Sequence, residues 1–325
     1  MWHEMGLVAV ISNPLSTRNR AIMPRIRRIL ENAHDAFHYE LDDIAAVPDA
    51  LRKISTVRPA VLVVNGGDGT LQAVMSSIIN DAPFDGVPPP IFVLPSGKTN
   101  MVAEDLGAAR GPERLLRRII EMTDRGEITE ATVQRHLIGL DFGDGHPTRY
   151  GMFFGGAAIV NAILYIRAKI YPLGLPNLLS HVLALLIVVF STFGGGRSED
   201  SPIFSRPMRI KLLGGGIITG RFFTVTVTTL DRLLLGFRPY SDDGLGALKF
   251  SSVDQGAGPV FRALFALVTR RFGKTTIAGI QTRRANKLKI EGDDPFTLDG
   301  ELFKPLPGHA VVMRGDKSLS FVALG

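Results

Sequence analysis

The sequence predicts an α/β protein with an N-terminal doubly wound domain and a C-terminal antiparallel β-sandwich domain. Up to about residue 131, short apolar runs alternate with segments whose apolar positions recur at helical spacing. From residue 136 onward, paired strand-like segments separated by glycine-rich turns replace this alternation. We therefore expect a Rossmann-like domain at residues 1–132 and a β-rich domain at residues 133–325.

The first predicted strand, residues 7–11, leads into a loop of hydroxyl and cationic side chains at residues 12–20. The helix after this loop carries apolar side chains at helical spacing, and we expect Pro24 in its first turn, where proline is tolerated. A later helix begins at Pro112. These segments predict a sheet covered by helices.

The most informative segment is the loop Asn65-Gly66-Gly67-Asp68-Gly69-Thr70, which follows an apolar strand that starts at Val61. Glycines without a Cβ let a ligand approach the backbone closely. Unpaired N–H groups at a helix start favour an anion such as a phosphate. A helix is expected directly after this loop, because apolar side chains fall on one helical face at Leu71, Val74, Met75, Ile78 and Ile79.

Asp68 is the exceptional member of this loop, because a carboxylate repels a bare phosphate. It predicts either a bridging Mg²⁺ or the removal of a proton from an acceptor hydroxyl. The alternative is a tight strand-to-helix turn in which Asp68 caps the helix, and a lone Gly-Asp-Gly favours that interpretation.

A second loop of the same kind argues for a functional site. Residues 91–94 form a predicted buried strand, and Pro95-Ser96-Gly97-Lys98-Thr99-Asn100 opens a helix at residues 101–106. In open α/β sheets, ligands bind in a crevice at the carboxyl ends of the strands. The two loops therefore predict one crevice.

In the second half, the expected strands form pairs around turns. Residues 136–142 and 149–154 flank one glycine-containing turn, and residues 209–213 and 221–229 flank another. Two further strands are expected near the C-terminus, at residues 287–290 and 309–313, with Asp299 in a turn between them.

Several of these motifs, in order along the chain, resemble the diacylglycerol kinase catalytic-domain family, which includes bacterial lipid kinases and sphingosine kinases. The Gly-Gly-Asp-Gly loop alone is shared with NAD kinases and phosphofructokinases, whereas the late Asp299-Gly300-Glu301 triplet favours a lipid substrate. The resemblance rests on six segments: Asn13-Pro14-Leu15-Ser16, the loops at 65–70 and 95–100, the glycine-rich 150–156, Pro239 to Leu245, and 298–301.

The resemblance implies an ATP-dependent lipid kinase that transfers the γ-phosphoryl group of ATP to a lipid hydroxyl, with diacylglycerol as the expected acceptor. It implies that residues 1–132 bind the nucleotide, that residues 133–325 bind the lipid, and that a last strand near 318–324 returns to the first domain. ATP and Mg²⁺ are the implied cofactors. The residues implied in nucleotide binding are Asn13, Ser16, Asn65, Gly66, Gly67, Asp68, Gly69, Thr70, Gly97 and Asn100.

The resemblance also implies catalytic and metal-binding roles. Asp299 is the expected general base, with Glu301 orienting the site and Asp68 facing Mg²⁺ or the acceptor. The alternative for Asp299 is an ordinary solvated aspartate in a hairpin turn. Arg167 and Lys169 are candidate clamps for the γ-phosphate. A structural metal site is implied at Asp243 with the carbonyls of Tyr240 and Leu245, and its alternative is an ordinary Asp-Gly turn.

Departures from the family pattern keep two alternatives open. Many members have Gly-Thr-x-Asn-Asp where this chain has Gly97-Lys98-Thr99-Asn100-Met101. Lys98 either contacts a phosphate or is solvent-exposed. A lipid-binding protein of the same fold without catalysis is one alternative, and an NAD kinase-like enzyme for a small molecule is the other.

Composition indicates a peripheral membrane protein of the cytoplasm. Lys and Arg total 37 against 31 Asp and Glu. This excess favours polyanions, and the absence of aromatic residues among the basic clusters favours lipid over nucleic acid. The absence of cysteine fits a reducing compartment, and no secretion signal is visible at the N-terminus. The clusters are Arg25-Arg27-Arg28, Arg117-Arg118, Arg270-Arg271 and Arg283-Arg284-Lys287-Lys289.

The longest apolar stretch, residues 178–190, is too short for a transmembrane span, which needs about 20 apolar residues. It either packs on the sandwich or contacts lipid. We therefore expect no transmembrane span, no nucleic-acid partner and a lipid substrate at the membrane surface. A homodimer is left open.

Overall fold

The computed structural model describes residues 6–108, 111–161, 164, 201, 204–233, 238, 240–241 and 244–324. Within these residues, the strands form three six-stranded sheets, one built mainly from the N-terminal part of the chain and two that pack face to face. The helices are α1 Asn19–Glu31, α2 Val47–Thr56, α3 Asp68–Asp81, α4 Met101–Asp105, α5 Pro112–Asp124 and α6 Ala257–Val268, with a 3-10 turn at Ile44–Ala46.

The strands, in chain order, are β1 Val8–Ser12, β2 Ala36–Glu40, β3 Val61–Gly66, β4 Ile91–Pro95, β5 Thr132–His136, β6 Ile138–Asp141, β7 Arg149–Gly151, β8 Phe153–Gly156, β9 Met208–Leu212, β10 Gly216–Gly220, β11 Phe222–Thr228, β12 Leu248–Asp254, β13 Ile280–Ala285, β14 Lys287–Glu291, β15 Phe296–Leu298, β16 Glu301–Phe303, β17 Val311–Arg314 and β18 Ser318–Val322.

The first sheet has the order β2-β1-β3-β4-β18-β5, and its first four strands run parallel. Strands β1, β3 and β4 are buried along their whole length, as expected when helices cover both faces of a parallel sheet. Helix α1 packs against α5, and α2 packs against α3. The predicted doubly wound fold is confirmed.

The C-terminal strand β18 lies in this first sheet, parallel to β4 and antiparallel to β5. Its Phe321 is fully buried opposite Ile91. The chain therefore enters the β-rich part after β5 and returns to the first sheet at its end.

The β-rich part is a sandwich of two sheets with the orders β10-β9-β14-β17-β6-β7 and β13-β12-β11-β8-β15-β16. The described pairings in both are antiparallel, so the predicted sandwich is confirmed. Its core lies between the sheets and includes Phe154, Phe222 and Phe250, each almost fully buried.

Three local predictions are wrong. Residues 149–154 do not form one strand, because the chain changes sheets at Met152 between β7 and β8. Residues 209–213 do not pair with 221–229, because Gly214 and Gly216 adopt positive φ and turn the chain early into β10. Pro24 lies inside α1, beyond its first turn.

In the described part of the chain, no helix is long and apolar enough to cross a membrane.

Candidate active site

The glycine-rich loop forms the junction between β3 and α3. Gly67 is the residue that precedes the helix, with an extended backbone and no side-chain cap, and Asp68 is the first helical residue. The alternative in which Asp68 caps its own helix is therefore wrong. Instead, the Asp68 carboxylate lies close to the backbone N–H groups of Asn100 and Met101, at the start of α4, which act to lower its pKa.

The two glycine-bearing loops meet backbone to backbone. A Cβ added to Gly97 would lie 2.7 Å from the Cα of Gly67. Asn100 adopts a left-handed backbone with φ of 54° and closes its own loop, because its Oδ1 accepts from Gly97 N–H at 2.7 Å. Glycine at position 97 is thus required by close packing, and Asn100 shapes the loop from within.

Asn65 ties together the ends of three neighbouring strands. Its Nδ2 donates to Ser12 Oγ at 3.0 Å, and its Oδ1 accepts from Ser96 Oγ at 2.6 Å. Its carbonyl accepts from Asn19 Nδ2 at 2.9 Å. Because Asn65 is fully buried, the structure places it beneath the loops as a positioning residue.

The first loop reaches the glycine loop through two side chains. Asn13 Nδ2 donates to Thr70 Oγ1 at 2.9 Å, and Gly67 N–H donates to Ser16 Oγ at 3.1 Å. All four residues line one groove of about 750 Å³, as does Gly69. Asn13, Ser16, Gly67, Gly69 and Thr70 are thus brought together, as the nucleotide-binding hypothesis requires.

Asp299 and Gly300 form the two-residue turn of the hairpin between β15 and β16. Both adopt positive φ, 49° and 86°, as in the turn that Asp-Gly favours in tight hairpins. The Asp299 carboxylate is buried and accepts from Met152 N–H at 3.0 and 3.1 Å and from Phe153 N–H at 2.9 Å. These bonds form where the chain changes sheets.

Asp68 and Asp299 line the same cavity of about 310 Å³. Burial raises the pKa of Asp299 to about 7. The negative charge of Asp68 also raises this pKa, whereas the hydrogen bonds from Met152 and Phe153 lower it. Burial likewise raises the pKa of Asp68 to about 6. The rest of the lining is largely apolar and includes Met101, Phe153, Val160, Leu164 and Leu302.

Glu301 lies on the groove side of the hairpin. Its side chain is exposed and covers the Cα of Gly69, where an added Cβ would collide with Glu301 Oε1. Asp299, by contrast, is held by backbone N–H groups. The structure thus brings Glu301 to the glycine loop and Asp299 to the cavity.

A polar stripe on α3, which the sequence analysis missed, joins the two parts of the molecule. Gln72 Nε2 donates to the Leu298 carbonyl at 2.8 Å, Ser76 Oγ accepts from Tyr150 N–H at 2.9 Å, and Asn80 Nδ2 donates to the Thr148 carbonyl at 2.9 Å. The four-residue spacing of these side chains, which places them on one face of the helix, is the signal that could have revealed them.

Other predicted sites are described in part or not at all. Asp243, Arg167, Lys169 and the apolar stretch 178–190 lie outside the described residues. Tyr240 is buried and its hydroxyl donates to the Asp231 carbonyl, whereas Leu245 is exposed. Lys98 is exposed. The metal site at Tyr240, Asp243 and Leu245 stays a prediction.

A comparison with protein families matches residues 7–132 to the diacylglycerol kinase catalytic domain. The resemblance seen in the sequence motifs is confirmed. The matched residues include both glycine-bearing loops and the groove side chains Asn13 and Ser16. They end before Asp299, so the second carboxylate of the cavity lies outside the matched range.

Two crystal structures from Bacillus anthracis str. Sterne share the fold over nearly the full length. One is named a diacylglycerol kinase, with a TM-score of 0.60 and 15% identity over 99% of this chain and 98% of that chain. The other is provisionally named a diacylglycerol kinase, with a TM-score of 0.64, 14% identity and the same coverage. No curated protein sequence is significantly similar to the chain.

Proposed function

We propose that the protein is an ATP-dependent lipid kinase that transfers the γ-phosphoryl group of ATP to a hydroxyl of a membrane lipid, with diacylglycerol as the acceptor to test first. The observation that carries this proposal is the convergence of Asp68 and Asp299 on one largely apolar cavity beside the glycine loops. The diacylglycerol kinase catalytic domain matched at residues 7–132 supports the same reaction class.

Two adjoining pockets suit the two substrates of such a reaction. Gly67 and Gly69 line the larger groove, whereas Asp68 between them lines the cavity, and Leu302 lines both. The groove offers backbone and hydroxyl groups at a helix start, which suits phosphates. The cavity offers apolar walls around two carboxylates, which suits a lipid with a reactive hydroxyl.

In the proposed reaction, the lipid hydroxyl oxygen forms a bond to the γ-phosphorus while the bond from that phosphorus to the bridging oxygen of ADP breaks. The hydroxyl proton passes to the Asp299 carboxylate. A base works best when its pKa lies near the working pH, and the pKa of Asp299, about 7, meets this condition. The bonds from Met152 and Phe153 fix the orientation of the carboxylate before substrate binds.

The donor set also suits Mg²⁺. This ion is usually bound through one or two carboxylates together with phosphate oxygens, so a full protein cage is not required. In the part of the chain that the structure describes, no group of three or more His, Asp or Glu side chains could hold a metal. Asp68, beside the phosphate-binding glycines, is the residue that would hold it. Bound Mg²⁺ would neutralise charge on the phosphates.

The decisive experiment incubates the purified protein with ATP labelled at the γ-phosphate and a total lipid extract, and then identifies the labelled lipid by chromatography. We expect label in one lipid class and far less label in that class with Asp299→Asn. Nucleotide binding without any labelled lipid would favour a lipid-binding protein without catalysis. Label in NADP, when NAD is supplied, would favour the NAD kinase-like alternative.

A further inference from the structure

Helix α6 exposes an apolar face in the described part of the chain. Its inner face, Val260, Ala263 and Ala266, packs on the sandwich. A surface helix ordinarily carries polar residues on its outer face. The outer face of α6 instead carries four large apolar side chains at helical spacing, with exposed fractions of 70% for Phe261, 41% for Leu264, 57% for Phe265 and 77% for Val268.

The surrounding sequence is strongly cationic. Residues 255–290 contain eight Lys and Arg and no Asp or Glu. Arg270, Arg271 and Lys274 follow the helix directly and are exposed. Aromatic and aliphatic side chains on one helix face, bordered by cations, are the composition of helices that lie in the surface of an anionic bilayer.

Helix α6 also lies on the same face of its sheet as the cavity. Side chains of directly paired residues point to one face. A single row of pairs joins Thr297, which lines the cavity, through Gly155 and Thr226 to Ser251 on β12. Val253, two residues further along β12, shares this face and packs against α6.

The distance between the cavity and the strand on which α6 packs is short. Three strand-to-strand steps separate β15 from β12, and each step is about 4.8 Å, so the row spans on the order of 14 Å. This is shorter than the thickness of a lipid monolayer, about half of a 40 Å bilayer. A bilayer in contact with α6 would therefore lie within reach of the cavity.

We propose that the exposed face of α6, Phe261, Leu264, Phe265 and Val268, docks on an anionic lipid bilayer, with Arg270, Arg271 and Lys274 on the headgroups. This inference rests on the proposed function, because it states how the enzyme would reach a lipid acceptor. Charge decides against a second copy of the chain, since a symmetric contact through α6 would bring two acid-free cationic segments together.

The test is flotation of the full chain with vesicles in the absence of ATP. The vesicles are phosphatidylcholine alone or phosphatidylcholine mixed with phosphatidylglycerol. We expect binding to the mixed vesicles, weakened roughly tenfold or more by Phe261→Ser/Phe265→Ser and by Arg270→Gln/Arg271→Gln. Added salt should weaken the binding of the wild type further.

Matched controls are available elsewhere on the surface. Val87, between α3 and β4, and Ile217, on β10 of the other sheet, are 86% and 51% exposed, so Val87→Ser/Ile217→Ser removes exposed apolar area away from α6. Arg117→Gln/Arg118→Gln removes an exposed arginine pair from α5. Both controls should bind vesicles like the wild type, and thermal melting should show that all four variants are folded.

Equal vesicle binding by the α6 variants and the controls would overturn the proposal, as would a wild type that binds neither vesicle. Conversion of a dimer to a monomer by Phe261→Ser/Phe265→Ser, with vesicle binding unchanged, would assign α6 to a second copy. Phosphorylation of a soluble short-chain diacylglycerol separates the two proposals. The α6 variants should phosphorylate this soluble substrate as the wild type does. If the wild type fails to phosphorylate it, that result would count against the proposed function and not against the docking of α6.

Discussion

Asp68 and Asp299 line one cavity, but the chain holds them in different ways. Asp68 begins a helix that follows a strand of the first sheet, and its carboxylate lies close to backbone N–H groups of the adjoining loop, those of Asn100 and Met101. Asp299 lies in a hairpin turn of the sandwich with a left-handed backbone, and its carboxylate accepts from Met152 and Phe153, about 147 positions earlier in the chain.

The two carboxylates therefore depend on different parts of the fold. The Asp68 side of the site needs β3, β4 and the helix starts that follow them. The Asp299 side needs the sandwich to form and to dock on α3, where Gln72 contacts the hairpin backbone. We therefore expect changes near Asp68 to alter nucleotide binding, and changes near Asp299 to alter the chemical step.

The largest effect is expected for Gly67→Val. A Cβ at position 67 has room, with the Cα of Gly97 at 3.5 Å, so the protein should fold. The rest of the branched side chain would occupy the groove where phosphates must approach. We predict loss of ATP binding in calorimetric titration together with loss of activity.

Gly97→Ala is the informative partner of this variant. Its Cβ would lie 2.7 Å from backbone of the neighbouring loop, so we expect a lower melting temperature. ATP affinity equal to that of the wild type in folded Gly67→Val would remove the glycine loop from the nucleotide site.

Asp299→Asn comes next. Asparagine tolerates the left-handed turn, and its amide oxygen can still accept from Met152 and Phe153, so fold and ATP binding should persist. Without a base, turnover should fall roughly a hundredfold or more. Steady-state kinetics on the identified lipid provides the measurement.

Two further substitutions sharpen this comparison. Asp68→Asn should weaken the use of Mg²⁺-ATP as well as turnover, which a Mg²⁺ titration can separate. Glu301→Gln should affect the groove and spare the base. A near-normal rate for Asp299→Asn would leave Asp68 as the candidate base.

The sequence predicted the first sheet well for a physical reason. Strands β1, β3 and β4 are buried on both faces, so each is a continuous apolar run that ends at a glycine or polar loop. The break at Met152 could not be read locally. It depends on hydrogen bonds to the distant Asp299 and on Thr228 Oγ1, which donates to the Met152 carbonyl at 2.9 Å.

In the candidate site, too, the local motifs were predictable from the sequence and the tertiary contacts were not. The groove residues Asn13, Ser16 and Thr70 came from motifs, whereas the burial of Asp299 depends on tertiary packing that no motif reports. The turn at Asp299-Gly300 was predicted, but the two strands that it joins were missed, because each is three residues long and carries little periodicity.

A smaller effect is expected when the contact between α3 and the hairpin is removed. Gln72→Ala deletes the buried hydrogen bond to the Leu298 carbonyl, at a cost of about 1 kcal/mol. Because this bond positions the turn that carries Asp299, kcat should fall several-fold while the KM for ATP stays near that of the wild type.

Asn80→Ala is the control for this prediction. It removes an exposed hydrogen bond on the same face of α3 but further from Asp299, and it should leave kcat unchanged. Equal effects of the two variants on kcat would mean that α3 acts on overall stability and not on the turn.

The last prediction concerns the pH dependence of stability and not turnover. The ordinary pKa of an aspartate is near 3.8, and burial raises that of Asp299 to about 7. Between these values the folded state binds more protons than the unfolded state, so this carboxyl makes the protein less stable as pH rises from about 4 to about 8, with little further change above. The carboxyl of Asp68, whose pKa burial raises to about 6, likewise makes the protein less stable as pH rises.

Asparagine does not titrate, so Asp299→Asn should remove its share of this pH dependence. We expect the melting temperature of Asp299→Asn, relative to wild type, to increase from about pH 5 to about pH 8. Asp144→Asn is the control, because its carboxylate accepts from His146 N–H in an exposed turn. A constant difference across this range would show that Asp299 is ionised throughout, and the base would then owe its reactivity to orientation by Met152 and Phe153 and not to its pKa.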